Sequence, residues 1–248
     1  MTPSETYAAH LDAVQEQNAR IYGLPSGADL WGGASARQFR FDPRRELDRN
    51  MGVIASYIQP DDVMVDVGGG AVRVCLPLAL RCKEVFNIEP SPGMGAEFES
   101  LAQEAGITNA RLVAASLAEA QAPKGDIAFT ADVTYFVRDI TDFIRQLEAA
   151  AARRVMITIW SYPSPNRRGK LFEMVYGEEQ AVLPGQAQLA AGAVGHGDTY
   201  QRPGAAGVSL VGERAAADQG RGHQDDHGRP CCKAREPGPG PGSIRGPL

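Results

Sequence analysis

A chain of 248 residues, 43% hydrophobic and 22% charged, can bury one domain-sized core and not two. Its formal net charge of −5 supplies no positive field to draw in a nucleic acid. The chain shows neither a run long enough to span a membrane nor the basic-then-apolar start of a signal peptide, so a soluble cytoplasmic protein is expected. Residues 5–21 predict an amphipathic helix, with Tyr7, Leu11, Val14 and Ile21 on one stripe. A Gly- and Pro-containing loop then carries Trp31 toward Phe39 and Phe41. A second helix is predicted from Asp42-Pro43, with Asp as N-cap, Pro in the first turn, and Leu47, Met51, Ile54 and Ile58 at helical spacing. Residues 1–60 therefore read as an N-terminal helical cap.

From residue 61 the period changes. Strands are predicted at Val63–Val67, Val85–Ile88, Arg111–Ala114, Asp126–Thr130 and Arg154–Trp160. Helices separate most of them, at Ala71–Lys83, Pro92–Ala105 and Ile140–Ala152. Strands that are nearly all apolar and alternate with helices belong to a parallel sheet covered on both faces. The fold class is α/β: a Rossmann-like, doubly wound, mostly parallel sheet over residues 61–182. Beyond Leu183 the text turns to Gly, Pro, Arg and Ala without sustained period. Residues 183–248 thus read as a low-complexity tail that cannot bury enough apolar surface to offset chain entropy. A one-base shift of a GC-rich back-translation of Ala191–Ala205 gives a more apolar text, so an out-of-frame ending is a second expectation for the tail.

The first strand runs into "VDVGGGAVR", residues Val65–Arg73. Gly68, Gly69 and Gly70 let the backbone turn sharply and approach a ligand with no Cβ between them. Free N–H groups at the next helix start face the same point. Asp66, at the strand end, can accept from loop amides or from an ammonium group. Glu89 closes the second strand twenty-one positions after Gly68, where a carboxylate accepts both hydroxyls of an adenosine ribose. A glycine triplet alone is also consistent with a plain tight turn; the strand-end Glu89 and the βαβ rhythm add the ligand.

A dinucleotide fingerprint needs a small residue where Arg73 stands, which disfavours a nicotinamide-dependent oxidoreductase. Instead "VDVGGGAVR" with "VFNIEPSPGM" resembles the class I S-adenosylmethionine-dependent methyltransferases. With Arg73 and Leu76–Ala79, it is most similar to those of small-molecule type. The resemblance runs from about Trp31 to Trp160. It implies S-adenosyl-L-methionine as cofactor, with Asp66 near its methionine moiety and Gly68, Gly69 and Gly70 beneath it. It further implies Glu89 on the ribose, Ser116 beside the adenine in place of the family's usual acid, and "ADVTYFV" with Asp132 between cofactor and acceptor. Val72 stands where the family carries its third alternate glycine. The family's sheet is completed by a hairpin after the fifth strand, which this text does not announce; the C-terminal strands are expected to be missing, through truncation or frameshift.

Methyl transfer from a sulfonium is an in-line displacement on an activated donor, so no nucleophilic triad or metal is required, and none is expected. Acceptor-side candidates are Asp132 and Tyr135, with Trp31, Arg37 and Phe39 as a lid. The motifs of nucleic-acid amino methylation or cytosine C5 chemistry are not present after the fourth strand, which leaves a small-molecule acceptor as the expected partner. The one compact basic cluster, Pro165–Lys170, reads as a solvated helix start. His223 and His227 have helical metal-pair spacing but lie in a Gly/Pro-rich tail. Cys75 and Cys82 read as buried thiols, and Cys231-Cys232 form no framework. An inactive methyltransferase-like binding module is the competing functional reading.

Overall fold

The computed structural model describes residues 1–23, 31–32, 34–71, 73–121, 124–160, 162–193, 200–201 and 208–213. They lie within one compact unit, Met1–Ala216. Val72 and the tail residues His223, His227, Cys231 and Cys232 fall outside the described residues.

Helix α1 (Pro3–Tyr22) is closed at its start by a capping box between Thr2 and Glu5 and at its end by left-handed Gly23. Tyr7 and Leu11 are buried from it. The short α2 (Ala34–Arg37) follows Trp31. The second long helix does not start at Asp42: that side chain holds a turn by accepting from Arg44 N at 2.8 Å. The helix, α3 (Arg49–Ala55), starts instead behind Asp48, which accepts from Met51 N at 2.9 Å. Two carboxylates competed for the cap, and only Asp48 is followed by an uninterrupted helical stretch.

Five parallel strands follow: β1 (Val63–Val67), β2 (Glu84–Ile88), β3 (Ala110–Val113), β4 (Gly125–Ala131) and β5 (Ala151–Ile159). Helix α4 (Cys75–Ala79) joins β1 to β2, α5 (Pro92–Glu104) joins β2 to β3, and α6 (Ile140–Ala150) joins β4 to β5. The prediction for α4 ran from Ala71 to Lys83; the helix is five residues long because the chain after the glycines stays in turns and Pro77 offers no N–H to extend it. After β5 come a 3-10 turn (Ser164–Arg168), α7 (Gly169–Tyr176), α8 (Gln186–Ala193), β6 (Tyr200–Gln201) and β7 (Val208–Glu213).

The sheet order is β3-β2-β1-β4-β5-β7-β6, with β7 antiparallel to β5 and to β6. The doubly wound parallel architecture is therefore present, and the expectation for the C-terminal strands is corrected: a hairpin covers the β5 edge. Leu183 and Leu189, within the stretch read as tail, are buried on the α8 side of the core. "VSLVGE" carries β-branched residues at Val208 and Val211, enough for a strand beside an existing edge. The surrounding Gly and Pro drown that short signal in any wider window.

Two cores sandwich the sheet. On one face Met51, Ile54, Leu76, Leu78, Phe98 and Leu101 from α3, α4 and α5 pack on Met64, Ile127, Phe129 and Met156. On the other, Tyr7, Leu11, Ile144, Leu147 and Leu189 from α1, α6 and α8 pack on Val65, Val67, Ala128 and Ile157. Alternate strand residues point to opposite cores, as the pleat requires. The strand order reverses between β1 and β4, and in open α/β sheets that switch point, at the carboxyl ends of the strands, is where ligands bind.

Candidate active site

The site is built on the loop leaving β1. Gly68 and Gly70 have φ of 66° and 59°, a region where L side chains are strained. A Cβ on Gly68 would lie 2.4 Å from Val133 Cγ2, and one on Gly69 would lie 2.5 Å from Asn87 Oδ1 and 2.6 Å from Asp66 Oδ2. The loop is therefore packed from below by side chains, and only glycine permits it. Asn87 donates to Gly70 O at 3.1 Å, and Arg45 Nη2 donates to Arg73 O at 2.5 Å, so both ends of the turn are tied down. Thr130 Oγ1 donates to Val67 O at 2.8 Å and locks the ends of β1 and β4 together.

Glu89 sits at the tip of β2, nearly buried. Its Oε2 accepts from Gly70 N at 2.9 Å and its Oε1 from Ser91 N at 2.8 Å. Charge-assisted bonds of this kind hold the carboxylate in one orientation at the cavity wall.

Asp66 is fully buried, and neither carboxyl oxygen has a hydrogen-bond partner. Burial, reinforced by the Glu89 charge and opposed by Arg73, pushes its pKa up to about 8. A buried carboxyl without donors calls for a cationic or donating ligand group, and the ammonium of an amino acid is such a group. Asn87 Oδ1 is a second orphaned acceptor beside it.

The eight residues expected on the cofactor side or the acceptor side, lid apart, line one cavity of about 960 Å³: Asp66, Gly68, Gly69, Gly70, Glu89, Ser116, Asp132 and Tyr135. Ser116 donates to Glu119 Oε2 at 2.6 Å, which holds the Glu119 carboxyl below its usual range. Its oxygen keeps lone pairs to accept from an amine. Asp132 has φ of 60°, the one described non-glycine residue there, and its carboxylate accepts from Arg73 Nη2 at 2.8 Å. Tyr135 is buried and its hydroxyl accepts from Trp160 N at 3.0 Å, so it braces the end of β5. Trp31 and Phe39 line the cavity with Phe136; Trp31 stacks edge-on with Phe136 at 5.4 Å and with Phe39 at 6.1 Å. Arg37 is not part of this wall and lies 3.7 Å from Glu97. Sequence reasoning missed Asn87 and Arg45; only Asn87, a polar residue inside the apolar strand "EVFNI", left a signal.

Carboxylates dominate the lining: Asp66, Glu89, Asp132, Asp139 and Asp142 stand against Arg73, the one Lys or Arg among the described lining residues. Such a hollow favours a cationic ligand. Among the described residues no group of three or more His, Cys, Asp or Glu is arranged to hold a metal, and no helix is long and apolar enough to cross a membrane. Cys75 and Cys82 are buried free thiols, with the Cys82 pKa pushed up to about 11 by burial.

A hollow at the switch point of a parallel sheet, with a glycine bed and an acidic strand tip, is the arrangement of a Rossmann-like domain. Residues 65–154 match the family model of the methyltransferase domain. The matched stretch is 90 of the 248 residues and holds the end of β1, the glycine bed, Glu89, Ser116 and Asp132. Solved structures share the fold. Magnesium protoporphyrin IX methyltransferase from Synechocystis PCC 6803 with bound SAH superposes with a TM-score of 0.59 at 18% identity, covering 81% of this chain and 100% of that one. The same enzyme with bound SAM gives 0.53 at 16% identity, covering 87% and 98%. A SAM dependent methyltransferase from Aquifex aeolicus gives 0.54 at 15% identity, covering 73% and 97%. No curated protein matches the chain.

Proposed function

We propose that this chain transfers the methyl group of S-adenosylmethionine to a small-molecule acceptor in the cytoplasm. The observation that carries the reading is the buried Asp66 carboxyl, without a hydrogen-bond partner, in the same cavity as the amide-anchored Glu89 and the glycine bed. The bound cofactor supplies a methyl group on a sulfonium, activated for in-line displacement. In this reading Asp66 takes the ammonium, Gly68, Gly69 and Gly70 give the backbone floor, and Glu89 accepts from the ribose hydroxyls. Ser116 faces the adenine edge. The aromatic residues Trp31, Phe39 and Phe136 exclude water and hold a flat or apolar acceptor against the donor side. Asp132 is the acceptor-side carboxylate able to take up a proton; Tyr135, bound through its hydroxyl to Trp160 N, acts as wall and brace. Holding donor and acceptor in line is worth up to about 7–11 kcal/mol, which suits a site without a nucleophile of its own.

Calorimetry with S-adenosylmethionine, S-adenosylhomocysteine and NAD tests the reading. The first two should bind, and Glu89→Ala should weaken both by about 30-fold or more, the scale of paired charge-assisted bonds. Preference for NAD, or Glu89→Ala binding as tightly as the parent chain, refutes it. Binding without turnover on a broad acceptor panel marks an inactive binding module instead.

A further inference from the structure

We propose that Arg73 is a carboxylate-binding residue of the cofactor site, held in reserve by Asp132 and released to the α-carboxylate of the cofactor when it binds. The inference rests on the cofactor reading above and extends it to a residue with no role in it.

An α-amino acid carries its ammonium and carboxylate on one carbon, so a site that buries an acceptor for the first must meet the second close by. Asp66 is that acceptor. The four carboxylates that line the cavity besides Asp66 would repel a carboxylate, and Arg73 is the one cation among the described lining residues. It lies near enough to Asp66 to stabilise that carboxylate electrostatically. Its guanidinium binds Asp132 at 2.8 Å with the two side chains 39% and 28% exposed. A half-exposed pair is weakly held, so an incoming carboxylate can replace Asp132 at little cost. The fork of a guanidinium suits that ligand in particular. Its backbone does not need to move, because Arg45 Nη2 anchors the Arg73 carbonyl. Asp132 is held in place by its backbone N–H, which donates to Thr158 O of β5 at 3.0 Å, so only its side chain has to turn away.

The exchange couples two events. Cofactor entry occupies Arg73 and leaves the Asp132 carboxylate without its guanidinium partner at the boundary toward the acceptor. Cofactor before acceptor is then the productive order.

The test is calorimetry on the full chain with two probes and no acceptor: S-adenosylhomocysteine and its decarboxylated analogue, which keeps the ammonium. Arg73→Gln should weaken S-adenosylhomocysteine by about 10- to 100-fold more than the decarboxylated analogue, whose smaller loss reports only the Arg73 charge acting on Asp66. Asp132→Asn, which tolerates a positive φ, should tighten S-adenosylhomocysteine by about two- to fivefold, since the competitor for Arg73 is gone. Equal losses for both probes with Arg73→Gln, or a loss with Asp132→Asn, overturns the proposal in favour of a purely structural ion pair. A parent chain that binds neither probe overturns the cofactor reading itself and this inference with it.

Discussion

The affinity for the cofactor should depend on the protonation of Asp66. Burial raises this carboxyl from its ordinary value of 3.8 to about 8, so the unliganded protein carries it mostly protonated at neutral pH. An ammonium ligand selects the ionised form. Well below the raised pKa, the ionised fraction grows tenfold per pH unit, so the affinity for S-adenosylhomocysteine should rise about tenfold between pH 6 and pH 7. At pH 7 binding should release about 0.9 of a proton per site. Titration calorimetry in two buffers of different protonation heat reads both quantities, and below pH 7.5 the ligand ammonium stays charged. The sign extends to stability. The unfolded chain loses this proton near pH 4 and the folded one near 8, so the unliganded protein should lose stability as pH climbs through that window and level off above it. Asp66→Asn should flatten both dependences. An affinity unchanged from pH 6 to 7, with no proton released, refutes the assignment of Asp66 to the ammonium.

Two further substitutions probe the frame around the site. Gly68→Ala places a Cβ at φ 66° against Val133 Cγ2 and should cost about 2–3 kcal/mol in urea unfolding, with cofactor binding lost together with it; parent-like stability would show that the loop has another conformation. Tyr7→Phe removes the buried bond from the Tyr7 hydroxyl to Thr134 O at 2.8 Å and should cost about 1–2 kcal/mol. A shift in the urea midpoint too small to resolve would mean that α1 is not fastened to the segment after β4 by this bond.

Much of the frame was legible because period and burial coincide. β1 is a run of β-branched residues with Asp66 at its inner end, and its bounds match the apolar text. α4 was overdrawn because apolar spacing continues through Cys75–Ala79 into residues that only line turns. The hairpin of β6 and β7 was hidden because six residues of strand text sit among glycines and prolines, and pairing with the β5 edge, a non-local contact, is what organises them. In the site, the glycines and Glu89 announced themselves by place in the βαβ unit. Arg73 was legible only as an argument against a pyrophosphate; its partner Asp132 lies 59 positions away, and no local pattern joins them. Asn87 and Arg45 act on loop carbonyls, a role that any polar side chain of the right reach can fill and that leaves little trace in spacing.

The chain has two tryptophans, Trp31 and Trp160, and both face the same cavity. Trp31 stands at its mouth, 39% exposed and edge-on to Phe136, while Trp160 lies under the Arg167 guanidinium at 4.1 Å. Indole emission from the unlabelled protein thus originates entirely from the walls of this hollow. Any molecule that enters alters the light directly, and candidate acceptors can be screened by eye on a fluorimeter, with no dye, tag or coupled enzyme.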